Sequence, residues 1–253
     1  MKEIEKAAQI IRSSNYAVAL TGAGISTPSG IPDFRSPGSG LWEKVNPMLV
    51  ASIFAFRLRP KRFFDWFRPL GRTLLEAEPN PAHIALARLE EAGFLKAVIT
   101  QNIDNLHQKA GSKRVLELHG HLREAQCMKC RRIVPTEGLW EKYLNSDEVP
   151  RCECGGILKP RVVLFGESLP KGVFLEALGE VQRCDVMLIA GSSLEVYPAA
   201  ELPTLAYQKG ARLIVVNLQS TYADAVADVV IHDDVAKVLP AIADMCLKST
   251  PHT

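Results

Sequence analysis

The stretch Thr21-Gly-Ala-Gly-Ile-Ser-Thr-Pro-Ser-Gly-Ile-Pro-Asp-Phe-Arg35 constrains the fold of this chain more than any other part of it. It follows the apolar run Tyr16-Ala-Val-Ala-Leu20, which predicts a buried strand. Gly22 and Gly24 at the end of a strand let backbone N–H groups approach a phosphate that a Cβ would hold off. Pro28, Gly30 and Pro32 keep the following loop from becoming a helix. Arg35 brings a fixed positive charge able to pair with a phosphate. Gly22-Ala-Gly24-Ile-Ser-Thr27 lacks the sixth-position glycine of the dehydrogenase fingerprint, and a G-x-G after a strand also suits a purely structural turn.

Apolar periodicity organises the remainder. Ile4, Ala7, Ala8 and Ile11 recur at helical spacing and predict an amphipathic helix over residues 2 to 13. Residues 41 to 75, rich in Phe, Trp, Arg and Pro, predict short helices forming a flap over the glycine loop, with most of the aromatics in a core. Asn80-Pro81 marks a helix start, with Asn80 as N-cap. Apolar strands are expected at 95–100, 115–118, 162–165, 185–190, 213–217 and 229–231. Helices are expected at 170–183, 198–209 and 235–247. Strands alternating with helices imply a parallel sheet covered on both faces, with ligands at the carboxyl ends of its strands.

With 253 residues, 47% of them hydrophobic, the chain can bury one large domain or one domain with a small insert. A formal net charge of +2 gives no support to a general polyanion binder. No apolar run approaches the roughly 20 residues of a membrane span, and the polar start Met1-Lys-Glu-Ile-Glu-Lys is unlike a signal peptide. Of six cysteines, Cys127-Met-Lys-Cys130 and Cys152-Glu-Cys154 stand 21 residues apart, and Cys184 and Cys246 stand alone. The two pairs read as a four-thiolate zinc site in a reducing compartment, which points to the cytoplasm. Four thiolates leave the metal no open position, so its role is structural. The second pair is one residue shorter than the usual spacing.

The glycine stretch resembles the cofactor loop of the sirtuins, the NAD-dependent protein deacylases. Thr100-Gln-Asn-Ile-Asp104, Glu117-Leu-His-Gly120, the cysteine pairs, Val163-Leu-Phe-Gly-Glu167, Gly191-Ser-Ser-Leu-Glu-Val-Tyr-Pro198 and Asn217 match further sirtuin segments in the same order. The resemblance covers about residues 2 to 245. It implies an α/β fold, a Rossmann-like parallel sheet with helices on both faces, a small inserted zinc-binding domain and a helical flap. The Rossmann-like domain is expected over 1–119 and 157–248, including the flap at about 36–78, with the zinc domain at 120–156.

The resemblance also implies the chemistry. NAD is the co-substrate and Zn2+ a structural ion held by Cys127, Cys130, Cys152 and Cys154. Gly22, Ala23, Gly24, Thr27, Phe34, Arg35, Gln101, Ile103, Asp104, Ser192, Ser193, Asn217, Asp234 and Val235 are the expected cofactor contacts. Phe34, Val163, Phe165, Gly166, Glu167, Leu194 and Val196 are expected against an acyl-lysine peptide bound as an added strand. His119 is the expected general base, also touching the cofactor, with Asn102 and Asp104 beside it. His107 and His121 lack such a match and read as ordinary polar residues. The implied reaction removes an acetyl group from lysine, releasing nicotinamide and O-acetyl-ADP-ribose. No Tyr-x-x-Arg pair of the succinyl-preferring members occurs in Phe63-Phe-Asp-Trp-Phe-Arg-Pro-Leu-Gly-Arg72, although Arg68 and Arg72 are present. A neutral acyl group is therefore expected. The alternatives are a mono-ADP-ribosyltransferase, a non-catalytic NAD or ADP-ribose sensor, and a zinc-dependent nucleic-acid binder using Lys129, Arg131 and Arg132. Membrane and nucleic-acid binding are not expected.

Overall fold

The structure is a computed structural model that describes residues 1–34 and 40–248. The chain opens with α1 (Lys2–Ser13), whose Ala7, Ala8, Ile10 and Ile11 are buried, and β1 (Ala17–Thr21), buried at every position. The glycine stretch follows as two short 3-10 turns, Ala23–Ile25 and Thr27–Ser29, ended by Gly30 at φ +84°. Four helices make the flap: α2 (Leu41–Lys44), α3 (Pro47–Val50), α4 (Ile53–Leu58) and α5 (Pro60–Glu76). The last is longer than expected, because it continues through Pro69. Then come α6 (Pro81–Glu91), β2 (Leu95–Thr100), α7 (Leu106–Lys109) and β3 (Val115–Glu117). The Asn80 side chain caps α6 by accepting from the Ala82 N–H.

The cysteine segment contains β4 (Gly120–Cys127), β5 (Ile133–Pro135), α8 (Leu139–Leu144) and β6 (Leu158–Val162). The chain closes with α9 (Lys171–Arg183), β7 (Val186–Ala190), α10 (Leu202–Gln208), β8 (Arg212–Val216), β9 (Val229–Ile231) and α11 (Val235–Lys248). One strand differs from the sequence expectation. β6 ends at Val162 and pairs antiparallel with β4, while Val163 to Phe165 forms a connection bridged to the flap at Ser52.

Six strands form one parallel sheet in the order β3-β2-β1-β7-β8-β9. Alternate side chains feed two cores, as strand pleating requires. Ala17 and Ala19 of β1 join the face covered by α1, α6 and α11, while Val18 and Leu20 join the face covered by α9 and α10. The strand order reverses between β1 and β7, the switch point where open α/β sheets bind ligands. There the two glycine loops interlock. The Gly24 N–H donates to Gly191 O at 2.8 Å. A Cβ on Gly24 would lie 2.9 Å from that oxygen, and one on Gly191, at φ +61°, would lie 2.2 Å from the Ile25 nitrogen.

A polar layer interrupts the core beneath the carboxyl ends of β1 and β2. Thr21 Oγ1 donates to Thr100 Oγ1 at 2.8 Å and lies 2.9 Å from His107 Nε2. The His107 ring packs edge-on against His83 at 4.9 Å, and His83 Nε2 lies 3.4 Å from Ser26 Oγ. Ser26 Oγ in turn donates to Asp104 Oδ2 at 2.6 Å. Both histidines are buried. Burial holds His83 down at about 4, and burial with neighbouring His83 holds His107 well below its ordinary value.

A third core joins the flap to the cysteine segment. Phe56, Phe63, Phe64 and Phe67 pack with Trp140, Leu144, Cys127 and Leu158. The three-stranded sheet β5-β4-β6 carries the cysteines at one end. Their four sulphurs lie within 4.8 Å of one another, with Cys127–Cys154 at 3.5 Å and Cys130–Cys152 at 3.8 Å. A tetrahedral zinc with Zn–S bonds near 2.3 Å needs sulphurs about 3.8 Å apart, so the cage fits one ion. The short second pair converges because Arg151 bridges Ile157 and Gly155 turns the hairpin at φ +77°. Gly156 is also required, since a Cβ there would meet Cys127 Sγ at 2.5 Å.

Metal analysis of the purified protein should return about one zinc per chain. Cys127→Ala should cost roughly 3 kcal/mol or more, a fall in Tm of ~6 °C or more, because structural metal binding is folding free energy. Zinc-free protein with an unchanged melt would refute the cage. The histidine layer gives a pH effect of definite sign. With His83 at about 4 when folded and 6.5 as its ordinary value, the unfolded chain binds more protons in that window. Its contribution is complete above pH 6.5 and is lost as pH falls toward 4, by about 3 kcal/mol in all. His107 acts in the same direction. Asp104, whose carboxyl is raised by burial, acts oppositely just above its ordinary value of 3.8. Tm should fall between pH 7 and 4.5, and less steeply in His83→Gln. A flat Tm across that range would contradict the assignment.

Candidate active site cleft

One cleft of about 1200 Å³ runs from the glycine loops to the flap. It exceeds the usual volume of a drug-sized pocket, so it has room for more than one ligand. Its floor is the switch point. Gly22, Ala23, Gly24 and Thr27 line one side, and Ser192, Ser193 and Asn217 the other. Asn217 fixes the second loop twice: its Oδ1 accepts from the Ser192 N–H and its Nδ2 donates to Ser192 O, each at 2.9 Å. Ala23 and Ser193 have backbone N–H groups with no acceptor among the described residues. Such amides beside glycines suit an anionic oxygen. Asp234 and Val235 line the far end, where Asp234 Oδ1 also accepts from the Ala236 N–H to cap α11.

The segment after β2 supplies the middle of the cleft. Gln101 Nε2 donates to Ser192 Oγ at 2.9 Å, linking it to the second glycine loop. Asn102 Nδ2 donates to Gly22 O and to Ser26 Oγ, both at 3.0 Å. Asp104 accepts from Ser26 and, through Oδ1, from the Leu106 N–H at 2.9 Å. Asp104 therefore caps the start of α7 while it lines the cleft with Ile103. Burial, only partly offset by the Ser26 bond, raises its carboxyl above the ordinary value.

His119 stands where the chain leaves the large sheet for the small one. Gly120 begins β4 at φ +77°, and a Cβ there would sit 2.0 Å from Arg161 O. The His119 carbonyl accepts from the Val163 N–H at 2.8 Å. Its ring Nδ1 lies 2.9 Å from Gln101 O. A carbonyl can only accept, so Nδ1 carries the proton and the imidazole lone pair sits on Nε2.

The outer wall belongs to the flap and the 163–167 connection. Phe34 stacks on Trp42 at 5.1 Å, Trp42 on Trp66 at 5.4 Å, and Phe165 meets Trp42 edge-on at 5.9 Å. Val163, Phe165, Gly166, Glu167 and Val196 line the cleft, and Phe67, Leu70 and Leu74 of α5 complete this wall. Leu194 does not line it: at φ +54° it turns into the core and is buried. Arg35 lies outside the described residues. Arg68 and Arg72 turn away from the cleft. Arg68 donates to Tyr143 O, Glu148 O and Asp65, and Arg72 to Leu144 O.

Sequence reasoning missed Ser26, which lies inside the quoted stretch, and His83, which stands one turn past the Asn80 cap. It also read His107 as an ordinary polar residue, where the structure buries it in the layer behind the cleft. Trp66 was visible within the aromatic run, but nothing in its spacing separates a cleft wall from a core.

Residues 22–198 match the model of the Sir2 family. NAD-dependent protein deacylase 2 of Archaeoglobus fulgidus is 50% identical over 244 residues, covering 96% of this chain and 95% of that protein. The NAD-dependent protein deacetylase of Sulfurisphaera tokodaii is 44% identical over 250 residues, covering 99% and 98%. The solved structure of Sir2Af2 bound to a myristoylated histone peptide superposes with a TM-score of 0.84 at 43% identity, covering 98% of this chain and 97% of that one. Given the family-model match and the agreement of sequence and fold over nearly its full length, the chain belongs to the Sir2 family.

Proposed function

We propose that this protein is an NAD-dependent protein lysine deacetylase that moves the acyl group from a lysine side chain to ADP-ribose, consuming one water and releasing the free lysine amine and nicotinamide. The observation that carries the reading is the joining of two sites in one cleft: paired glycine loops at the switch point and an aromatic wall, with the His119 imidazole between them. NAD supplies an electrophilic ribose carbon, freed from nicotinamide as the acyl oxygen attaches. The named relatives, which use NAD, and the peptide-bound structure support both substrates.

The residues divide the work. Gly22, Ala23, Gly24, Thr27, Ser192 and Ser193 receive the diphosphate and riboses, with Asn217, Asp234 and Val235 toward the adenosine. Ala23, Ile103 and Asp104 hold the nicotinamide, Asp104 accepting from its carboxamide, with Phe34 and Gln101 lining the same cleft, and Asn102 keeps the glycine loop against them. His119 takes a ribose hydroxyl proton on Nε2, because Gln101 O holds the other nitrogen protonated. The acyl-lysine enters between the 163–167 connection and the Glu195–Val196 segment. Among the described residues no helix is long and apolar enough to cross a membrane.

The acyl group is read by the wall. Phe34, Phe165, Trp66 and Leu70 line its expected position, and the Arg68 and Arg72 guanidiniums are committed to carbonyls of the cysteine module. A buried carboxylate without a partner carries a penalty of about several kcal/mol, and ~3 kcal/mol is more than a hundredfold. Matched acetyl- and succinyl-lysine peptides at saturating NAD should therefore differ in kcat/KM by roughly a hundredfold in favour of acetyl. In the same assay nicotinamide release should depend on the acylated peptide. His119→Ala should lower it by about 10²-fold or more while NAD binding persists. Release that ignores the peptide would favour ADP-ribosyl transfer to another acceptor, and a succinyl preference would overturn the reading of the wall.

A further inference from the structure

Lys159 is a buried lysine that none of these steps uses. It lies in β6, and its side chain is 11% exposed. An ammonium in such a place needs several acceptors to offset lost hydration. Lys159 has three. Nζ donates to Val162 O at 2.8 Å and to Pro160 O at 3.3 Å, and forms an ion pair with Glu167 Oε2 at 2.9 Å. The same Glu167 oxygen accepts from the Leu164 N–H at 2.9 Å. The Glu167 N–H returns to Leu164 O at 3.0 Å, closing a turn in which Gly166 has φ +84°.

These bonds tie both ends of one short loop to one charge. Val162 is the last residue of the small sheet, and Glu167 ends the connection that bears Val163 and Phe165. The rest of the loop is anchored outward. The Val163 N–H donates to His119 O, and Phe165 exchanges backbone bonds with Ala51 and Ile53 at 2.9 and 3.0 Å. Those outward bonds fix where the loop attaches. The ion pair fixes its curvature, and hence how Phe165 and the loop backbone face the cleft.

We infer that Lys159 is a positioning residue for the acyl-lysine peptide, acting through Glu167. Glu167 itself shapes the loop rather than reading the charge of the peptide, because its carboxylate is already held by Lys159 and the Leu164 N–H. This inference rests on the deacylase reading for the identity of the peptide. The NAD half of the cleft is built by other loops, so loosening this one separates the two substrates.

The test compares Lys159→Met, Lys159→Arg and Glu167→Gln with the wild type. The readouts are KM for an acetyl-lysine peptide, KM for NAD, kcat, and the Kd of a fluorescent acetyl-lysine peptide measured without turnover. Lys159→Met and Glu167→Gln should raise the peptide KM and Kd about tenfold or more, the scale of a lost charged hydrogen bond. The NAD KM should stay within about twofold, and Lys159→Arg should recover part of the loss. Glu167→Gln disturbs the more exposed partner, so it decides the question if Lys159→Met fails to fold. An unchanged peptide KM and Kd in Glu167→Gln would overturn the inference, as would equal rises for peptide and NAD. If the wild type binds the peptide without deacylating it, the deacylase reading fails, while the Kd shift still decides the role of Lys159.

Discussion

The structure depends on the contact between two glycine loops at the point where the strand order of the sheet reverses. Gly22 and Gly24 follow β1, Gly191 follows β7, and the loops approach until backbone meets backbone. A methyl group on Gly24 or Gly191 would collide with main-chain atoms, which cannot swing aside as a side chain can. The interlock leaves amides at the floor of the cleft that the described residues do not use. It also explains why the cleft opens here: the helices that follow β1 and β7 go to opposite faces and leave a gap above the sheet.

A second constraint lies where the chain passes between its two sheets. His119–Gly120 leads out of the parallel sheet and Val162–Val163 leads back, and Gly120 pairs directly with Val162. The His119 carbonyl is bonded to Val163. The proposed base and the proposed peptide loop are therefore adjacent because both belong to one crossing. Beyond it, flap and cysteine module share a core, so a zinc cage remote in sequence from the flap supports the aromatic wall. Phe67 and Trp140 meet edge-on within that core at 6.5 Å.

Much of this was legible in the sequence because strands and helices announce themselves by period. The α1 helix, the strands of the parallel sheet and the Asn80 cap fall where apolar spacing and capping chemistry place them. The cysteines converge despite an unusual spacing, since glycines 155 and 156 supply the turn. The missed features share a physical cause: they depend on direction and burial, which residue type does not encode. The sequence contains Arg68 and Arg72 but does not reveal that their partners lie on and just beyond α8. His83 and His107 are buried by segments far apart in the chain. Lys159 looks like a solvated strand lysine until the return of Glu167 is known. Leu194 matched a peptide-lining segment, yet a positive φ turns it inward.

The most direct measurement is a crystal structure grown with ADP-ribose. The diphosphate should lie at the switch point, within hydrogen-bond distance of the Ala23 and Ser193 N–H groups, with the nicotinamide-side ribose next to His119 Nε2. A diphosphate bound away from both glycine loops, or a ribose out of reach of His119, would contradict the account.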